Sequence, residues 1–334
     1  VRIAIDAMGG DHAPAVNVEA ALAAAREWPD TELLLVGPVE ELEARLGGDA
    51  PPNLRLINAT ETIAADEEPA RAVRRKPDAS MVVAGRLVKD GEADAMVSSG
   101  NTGALMATGL LVIGRLPGIS RPGLAPMLPS LDGVGVLALD LGANMDAKPE
   151  HLLQYALMGT IYREKVHGLS RPRVGLLNVG TEPGKGNELA KAAYALLEQA
   201  PIHFVGNVEA RDVLERKCDV LVCDGFNGNI LLKAMEGAAT AIMRLLKDEM
   251  TASLRNKLAA AVLRPAFRKV KRRMDYQEYN GAPLLGVNGL VFKSHGSSGV
   301  WATQTAIRLA REAVRNGLCT ALADEFGSKQ ERTT

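Results

Sequence analysis

An α/β fold, a mostly parallel sheet with helices on both faces in three layers, is what this sequence predicts. Three observations lead there. Short apolar runs of strand length alternate with longer stretches of helical periodicity. The residues after those runs are rich in Gly, Asn and Asp, the composition of loops at strand ends. The hydrophobic fraction is 47% with only 4% aromatics across 334 residues, an Ala/Val/Leu-packed chain long enough for one large domain or two closely joined ones.

The first run, residues 2–7, leads into a glycine turn within "IAIDAMGGDHAP". Gly9 and Gly10 allow close backbone approach or positive φ, with Asp11 and His12 beside them, and Pro14 suits the first turn of a helix over residues 15–28. Strands follow at residues 32–36, 54–57 and 95–98; the last enters "SGNTGALMA", with Ser99, Gly100, Asn101, Thr102 and Gly103. Residues 134–139 lead into "DLGANMD" with Asn144, and residues 173–178 into "VGTEPGKGNE" with Lys185 between two glycines. After short runs at 203–205 and 220–223 comes "DGFNGNILLK", with Gly225, Asn227, Gly228 and Asn229. The pieces at 98–103 and 223–228 match as strand, loop and helix start. "SHGSSG", carrying His295 and Ser297, precedes a helical run over 300–323. Ligands of such sheets sit at the carboxyl ends of the strands, so all these loops are expected to line one crevice of one sheet.

Only residues 229–276 break the rhythm, as a long helical insertion that Pro265 should interrupt, within a single α/β domain spanning 1–334 or its two subdomains. Residues 251–274 hold eight Lys/Arg and no acid. Leu254, Leu258 and Val262 form one apolar stripe; Phe267, Val270 and Met274 form another, flanked by Arg268, Lys269 and Lys271. The pattern suits a projecting amphipathic hairpin that meets a membrane surface, a partner subunit, or both.

Several classes are disfavoured. Lys plus Arg (39) balances Asp plus Glu (40), so no nucleic-acid partner is expected. Cys218, Cys223 and Cys319 lack metal spacing, and no leader or long apolar span is evident, so a reducing, cytoplasmic setting is expected. The first loop lacks G-x-G-x-x-G, "GTEPGKGN" lacks P-loop spacing, and no G-x-S-x-G occurs. Cys223 reads as a small buried residue rather than a nucleophile. Neither cofactor nor metal is expected, although Asp140, Asp146 and Asp224 are the acids that a metal would need to gather. What remains is an anion cradle, in which strand-end glycine loops and helix starts aim N–H groups at an anion. Lys185, flanked by glycines, suits a phosphate as well as it suits open solvent, and Asn229 is a candidate neutral donor to phosphate or an oxyanion.

In order along the chain, "IAIDAMGGDHAP", "VSSGNTGA", "LDLGAN", "NVGTEPGKGNE", "DGFNGN" and "SHGSS" resemble the phosphate acyltransferase family of bacterial phospholipid synthesis (PlsX). The resemblance implies transfer of a fatty acyl group from acyl carrier protein to inorganic phosphate, the acyl phosphate then feeding a membrane glycerol-3-phosphate acyltransferase. It implies a homodimer, peripherally attached to the inner face of the cell membrane, with a fold related to phosphotransacetylase and to isocitrate and isopropylmalate dehydrogenases. Rival readings are a metal-dependent decarboxylating dehydrogenase, a phosphotransacetylase using short acyl-CoA, and a non-catalytic scaffold for lipid synthesis.

Overall fold

The computed structural model describes residues 1–48, 50–274 and 281–331, without the side chains of 271–274 and 328–331. Chain order begins β1 (Arg2–Asp6), α1 (Ala15–Glu27), β2 (Glu32–Gly37), α2 (Val39–Leu46), β3 (Leu54–Asn58), α3 (Pro69–Arg75), α4 (Ser80–Lys89), β4 (Ala95–Ser98) and α5 (Thr102–Thr108). Two short strands follow, β5 (Gly123–Leu124) and β6 (Met127–Leu128), then β7 (Val136–Leu139), α6 (Pro149–His167), β8 (Arg173–Asn178), α7 (Glu188–Glu198), β9 (His203–Glu209) and β10 (Val220–Val222). The chain continues as α8 (Gly225–Thr251), α9 (Leu254–Met274), β11 (Ala282–Leu285), β12 (Leu290–Lys293), α10 (Val300–Arg315) and α11 (Leu318–Glu331).

These strands form two sheets rather than the one expected. The first has seven strands in the order β3-β2-β1-β4-β12-β11-β5, and the second five in the order β6-β7-β10-β8-β9. Neighbours from β3 to β12 are parallel, as are those from β7 to β9, while β11, β5 and β6 join antiparallel at the ends. The chain changes sheets at Ala125 and Pro126: Leu124 pairs with β11 in one sheet, and Met127 pairs with β7 in the other.

Alternation along each strand decides the layers. Ile3 and Ile5 of β1 face a core shared with Leu137 and Leu139 of β7. Ala4 turns instead to α4 and α5, whereas Val136 and Ala138 turn to a smaller cluster that includes Leu231 of α8. Between the sheets α10 packs on β1, β4 and β12, α6 packs on β7, β8 and β10, and the two helices touch each other. One apolar core therefore reaches both sheets, each fully buried large side chain contributing roughly 1.5–3 kcal/mol.

The helical insertion also differs in its limits. α8 begins at Gly225, and α9 runs through Pro265 without ending there; the break falls at Ala252 and Ser253. Pro265 is exposed and removes one backbone donor, yet the helix continues through it. Residues 275–276 of the expected insertion lie outside the described residues. The last helical run is two helices, α10 and α11, parted at Asn316 and Gly317.

Candidate active site

Buried Asp6 anchors the first group of loops. Its carboxylate accepts the hydroxyls of Ser80 and Ser98, each at 2.6 Å, and the Met8 amide at 3.2 Å. Burial pushes its pKa above the ordinary carboxylate value, against the pull of these donors. Asn17 of α1 donates to the carbonyls of Ala7 and Gly9, both at 2.8 Å, which fixes the turn. Only glycine fits at position 9, since a Cβ there would sit 2.6 Å from both Asp6 Oδ2 and the Gly100 nitrogen. Gly10 has φ +103°, where side chains are strained. The loops after β1, β4 and β12 are thus in direct contact. The Asp11 amide donates to the Gly296 carbonyl at 2.8 Å, and the Ser294 amide to the Ser98 carbonyl at 2.9 Å.

The expected residues of this group take different parts. Ser99 is buried, and the Gly100 amide is turned onto Ser98 Oγ at 3.0 Å. Asn101 caps α5, accepting from the Ala104 amide at 3.1 Å and donating to the Ala65 carbonyl at 2.8 Å; Thr102 and Gly103 open that helix. His12 is exposed at the turn. His295 Nδ1 lies 2.9 Å from Ser297 Oγ, and partial burial together with Lys293 moves its pKa below the ordinary histidine value.

Sequence reasoning missed Lys293. Its ammonium is nine-tenths buried beneath these loops, donating to the carbonyls of Ser99 at 3.4 Å and of Ser294. Burial lowers its pKa to about 8, although Asp6 and Asp11 pull the other way. The signal was present in "LVFKSHGSS", a lysine ending a short apolar run just before a glycine loop.

A second group forms on the other sheet. Asp140 accepts the amides of Ala143 at 3.0 Å and Asn144 at 2.6 Å. The Asn144 side-chain nitrogen is committed to the Pro122 carbonyl, Asp140 and the Tyr155 hydroxyl, so Asn144 braces this loop. Asp224 caps α8 through the Asn227 amide at 2.9 Å and holds the Asn227 side chain at 2.6 Å. The Gly225 amide donates to the Asn144 carbonyl at 2.9 Å. At Gly228 a Cβ would come within 2.0 Å of the Asp140 carbonyl oxygen, so glycine lets α8 press onto that loop, and Gly142 faces Asn229 across it. Asp224, Asn227 and Ile230 share a groove with Asn178, Gly186 and Asn187 of the loop after β8.

Lys185 lies exposed in that loop, its backbone carbonyl held by Asn178 at 3.1 Å and its stem beside Gly180. It makes no ion pair among the described residues. The thiol of Cys223 is buried, 3.2 Å from the Asp140 carbonyl oxygen, and burial raises its pKa well above the ordinary thiol value. Among the described residues no three His, Cys, Asp or Glu side chains are placed to hold a metal. The groups approach each other along α8, where Lys233 and Glu236 act electrostatically on His295. The contacts therefore gather Gly9, Gly10, Asp11, Ser99, Gly100, His295 and Ser297 in one group. They gather Asn144, Gly225, Asn227, Gly228 and Asn229 in the other, next to the loop of Lys185.

Comparison with known proteins narrows the chemistry. A family model described as fatty acid synthesis protein matches residues 1–321. The chain is 54% identical over 325 residues to a phosphate acyltransferase of Halalkalibacterium halodurans, covering 97% of this chain and 96% of that protein. It is 56% identical over 315 residues to the phosphate acyltransferase of Brevibacillus brevis, with 94% of each covered. Among solved structures, a phosphotransacetylase from Streptococcus pyogenes superposes with TM-score 0.58 at 16% identity, covering 94% of both chains. A putative 4-hydroxythreonine-4-phosphate dehydrogenase from Salmonella typhimurium does so with TM-score 0.54 at 13% identity, covering 93% of this chain and 99% of that one. These two likenesses concern the fold. By the family match and the full-length relatives, the chain belongs to the phosphate acyltransferase family and is an acyltransferase.

Proposed function

We propose that the chain transfers a fatty acyl group from acyl carrier protein to inorganic phosphate, releasing the carrier thiol and forming acyl phosphate for phospholipid synthesis. The observation that carries this reading is the pairing of glycine-tight strand-end loops that run into helix starts with a Cys223 thiol that is buried and turned onto a backbone carbonyl. The site thus supports direct attack by a bound anion, without an acyl-cysteine intermediate.

In that reaction a phosphate oxygen attacks the thioester carbonyl carbon and forms the new C–O bond. The carbonyl electrons move onto oxygen and return as the C–S bond breaks, and the sulfur leaves as thiolate and takes up a proton. Phosphate is already largely a dianion near neutral pH and the thioester is already activated, so positioning and oxyanion donors carry the acceleration. Lys185, on its exposed loop, reaches the acceptor phosphate. Asn229, on the first turns of α8 and facing Gly142, donates its amide to the phosphate or to the developing oxyanion. Gly9, Gly10 and Gly100 supply close backbone approach, and one cleft between the two loop groups holds both substrates. His12 and His295 orient substrate or the departing thiol.

The exposed stripe of Leu254, Leu258 and Val262 supports membrane attachment, joined by half-buried Phe267 and the exposed cations Arg268 and Lys269. The side chain of Lys271 lies outside the described residues. Among the described residues no helix is long and apolar enough to cross a membrane, so attachment is peripheral, on the cytoplasmic face where a membrane glycerol-3-phosphate acyltransferase consumes the product. Part of the same apolar surface, including Ile242 and Leu245 of α8, serves a homodimer contact.

The test is incubation of the purified full chain with phosphate and either acyl carrier protein thioesters or acyl-CoA. Mass spectrometry detects acyl phosphate, and a thiol reagent the released carrier. Acyl phosphate from the carrier thioester is expected. Product only from short acyl-CoA favours a phosphotransacetylase, and no product from either donor overturns the assignment.

A further inference from the structure

Three loops meet over one buried ammonium. Lys293 ends β12, in register with Ser98 at the end of β4. Its Nζ donates to carbonyls in two different loops, Ser99 after β4 and Ser294 after β12. The third loop, after β1, is tied to the same place through the Asp11 amide on the Gly296 carbonyl. A surface lysine is hydrated and mobile; one nine-tenths buried must be compensated by partners, and losing those partners is costly. The charged groups facing it are Asp6 of β1 and Asp11 of the following loop. Two residues away, His295 feels Lys293 together with Lys233 and Glu236 of α8.

The acids make the ammonium necessary. Without it, an incoming phosphate dianion would meet Asp6 and Asp11 with no buried positive charge between them, and the Ser99 and Ser294 carbonyls would lose the donor that holds them. We propose that Lys293 is a positioning residue for the phosphate acceptor: it draws the loops after β4 and β12 together under the anion site and offsets the charge of Asp6 and Asp11 beside it. This rests on the reading that phosphate is the acceptor. Its consequence is a pH dependence of phosphate binding, because burial brings this lysine down to about 8. As the ammonium deprotonates, the two carbonyls lose their donor, the acids lose their counter-charge, and phosphate affinity falls.

The experiment compares the full-length protein with Lys293→Met, which keeps length without charge, and Lys293→Gln, which keeps an N–H donor. Phosphate binding is measured by titration calorimetry with no acyl donor, from about pH 7 to about pH 9.5, spanning the range in which a lysine lowered by burial titrates. For the unsubstituted protein, affinity should fall about tenfold per pH unit above the lysine's titration point, as for binding that requires one proton. Lys293→Met should bind at least ~10-fold more weakly at the low-pH end, with no further fall as pH rises, since the coupled charge is gone. Lys293→Gln should recover part of the affinity without the pH dependence. In turnover assays Lys293→Met should raise the phosphate KM more than it lowers kcat. Affinity that stays level across the range in the unsubstituted protein overturns the proposal, even if neither variant folds. So does a folded Lys293→Met with unaltered affinity and pH profile. Phosphate binding with the expected profile but no acyl phosphate would reject the acyltransfer reading and leave this role of Lys293 standing. Acyl phosphate formed with a pH-independent phosphate KM would do the reverse.

Discussion

Lys185 and Asn229 contrast sharply at the scale of single residues. The lysine is exposed on a glycine-flanked loop, and the asparagine sits half-buried on a capped helix. Removing a donor to phosphate or to the oxyanion should lower turnover about 100-fold or more. Lys185→Ala should act mainly through phosphate and Asn229→Ala mainly through kcat; steady-state kinetics on folded variants check this, and near-native rates in both would remove the assignment. At Gly228 the packing is tight enough to forecast a stability effect. A Cβ placed 2.0 Å from the Asp140 carbonyl oxygen forces α8 off its loop, and overpacking of this kind costs roughly 1–3 kcal/mol. A lowered urea midpoint for Gly228→Ala is the expected outcome.

His167, remote from the site, offers a test of acid stability. Burial lowers its pKa from 6.5 to about 4, with the ring edge-on to Tyr162 and Nδ1 without a hydrogen-bond partner among the described residues. The unfolded chain takes up the proton first, so the site's contribution is complete above the unfolded value and is lost as pH falls from there toward the folded value. At ~1.4 kcal/mol per pK unit the loss amounts to about 3 kcal/mol. Urea unfolding at several pH values should show His167→Leu losing less stability than the parent over that window; parallel profiles would refute this.

At the scale of elements, the α8–α9 hairpin is unusual in what it leaves uncovered. Leu254, Leu258 and Val262 are 75%, 64% and 80% exposed, on a helix that carries only basic charge. Each basic side chain near an anionic bilayer contributes on the order of 1 kcal/mol, screened within a Debye length of about 10 Å at 0.1 M salt. The protein should therefore float with anionic vesicles at low salt and release as salt rises. Leu254→Glu combined with Leu258→Glu should abolish flotation while turnover on soluble acyl carrier protein persists. Equal flotation of the double variant would sink the membrane reading, and a change in sedimentation instead would assign the stripe to the subunit contact.

For the whole molecule, the decisive feature is that one apolar core reaches both sheets through α6 and α10. Sheets sharing a core cannot lose packing independently, so calorimetry should show a single unfolding endotherm. Two resolved transitions would mean that the sheets unfold separately.

The amino-acid sequence by itself determined the α/β class, most of the parallel strands, the glycine loops that follow them and the acid-free basic run over residues 251–274. Those properties are local: alternation, helical spacing and turn chemistry are written within a few residues. It missed β11 and β12, because "APLL" and "LVFK" are too short to stand out between glycines. With β12 it missed Lys293, whose meaning lies wholly in burial beneath loops far away in the chain. It also placed all strands in one sheet and ended a helix at Pro265. Lateral strand order depends on pairings such as Ser98 with Lys293, separated by 195 positions, and no local pattern encodes which strand will be the neighbour. Only the tertiary structure could divide the strands between two sheets, give Asn101 a helix cap and Asn144 a loop brace to hold, and set one buried ammonium near Asp6 and Asp11.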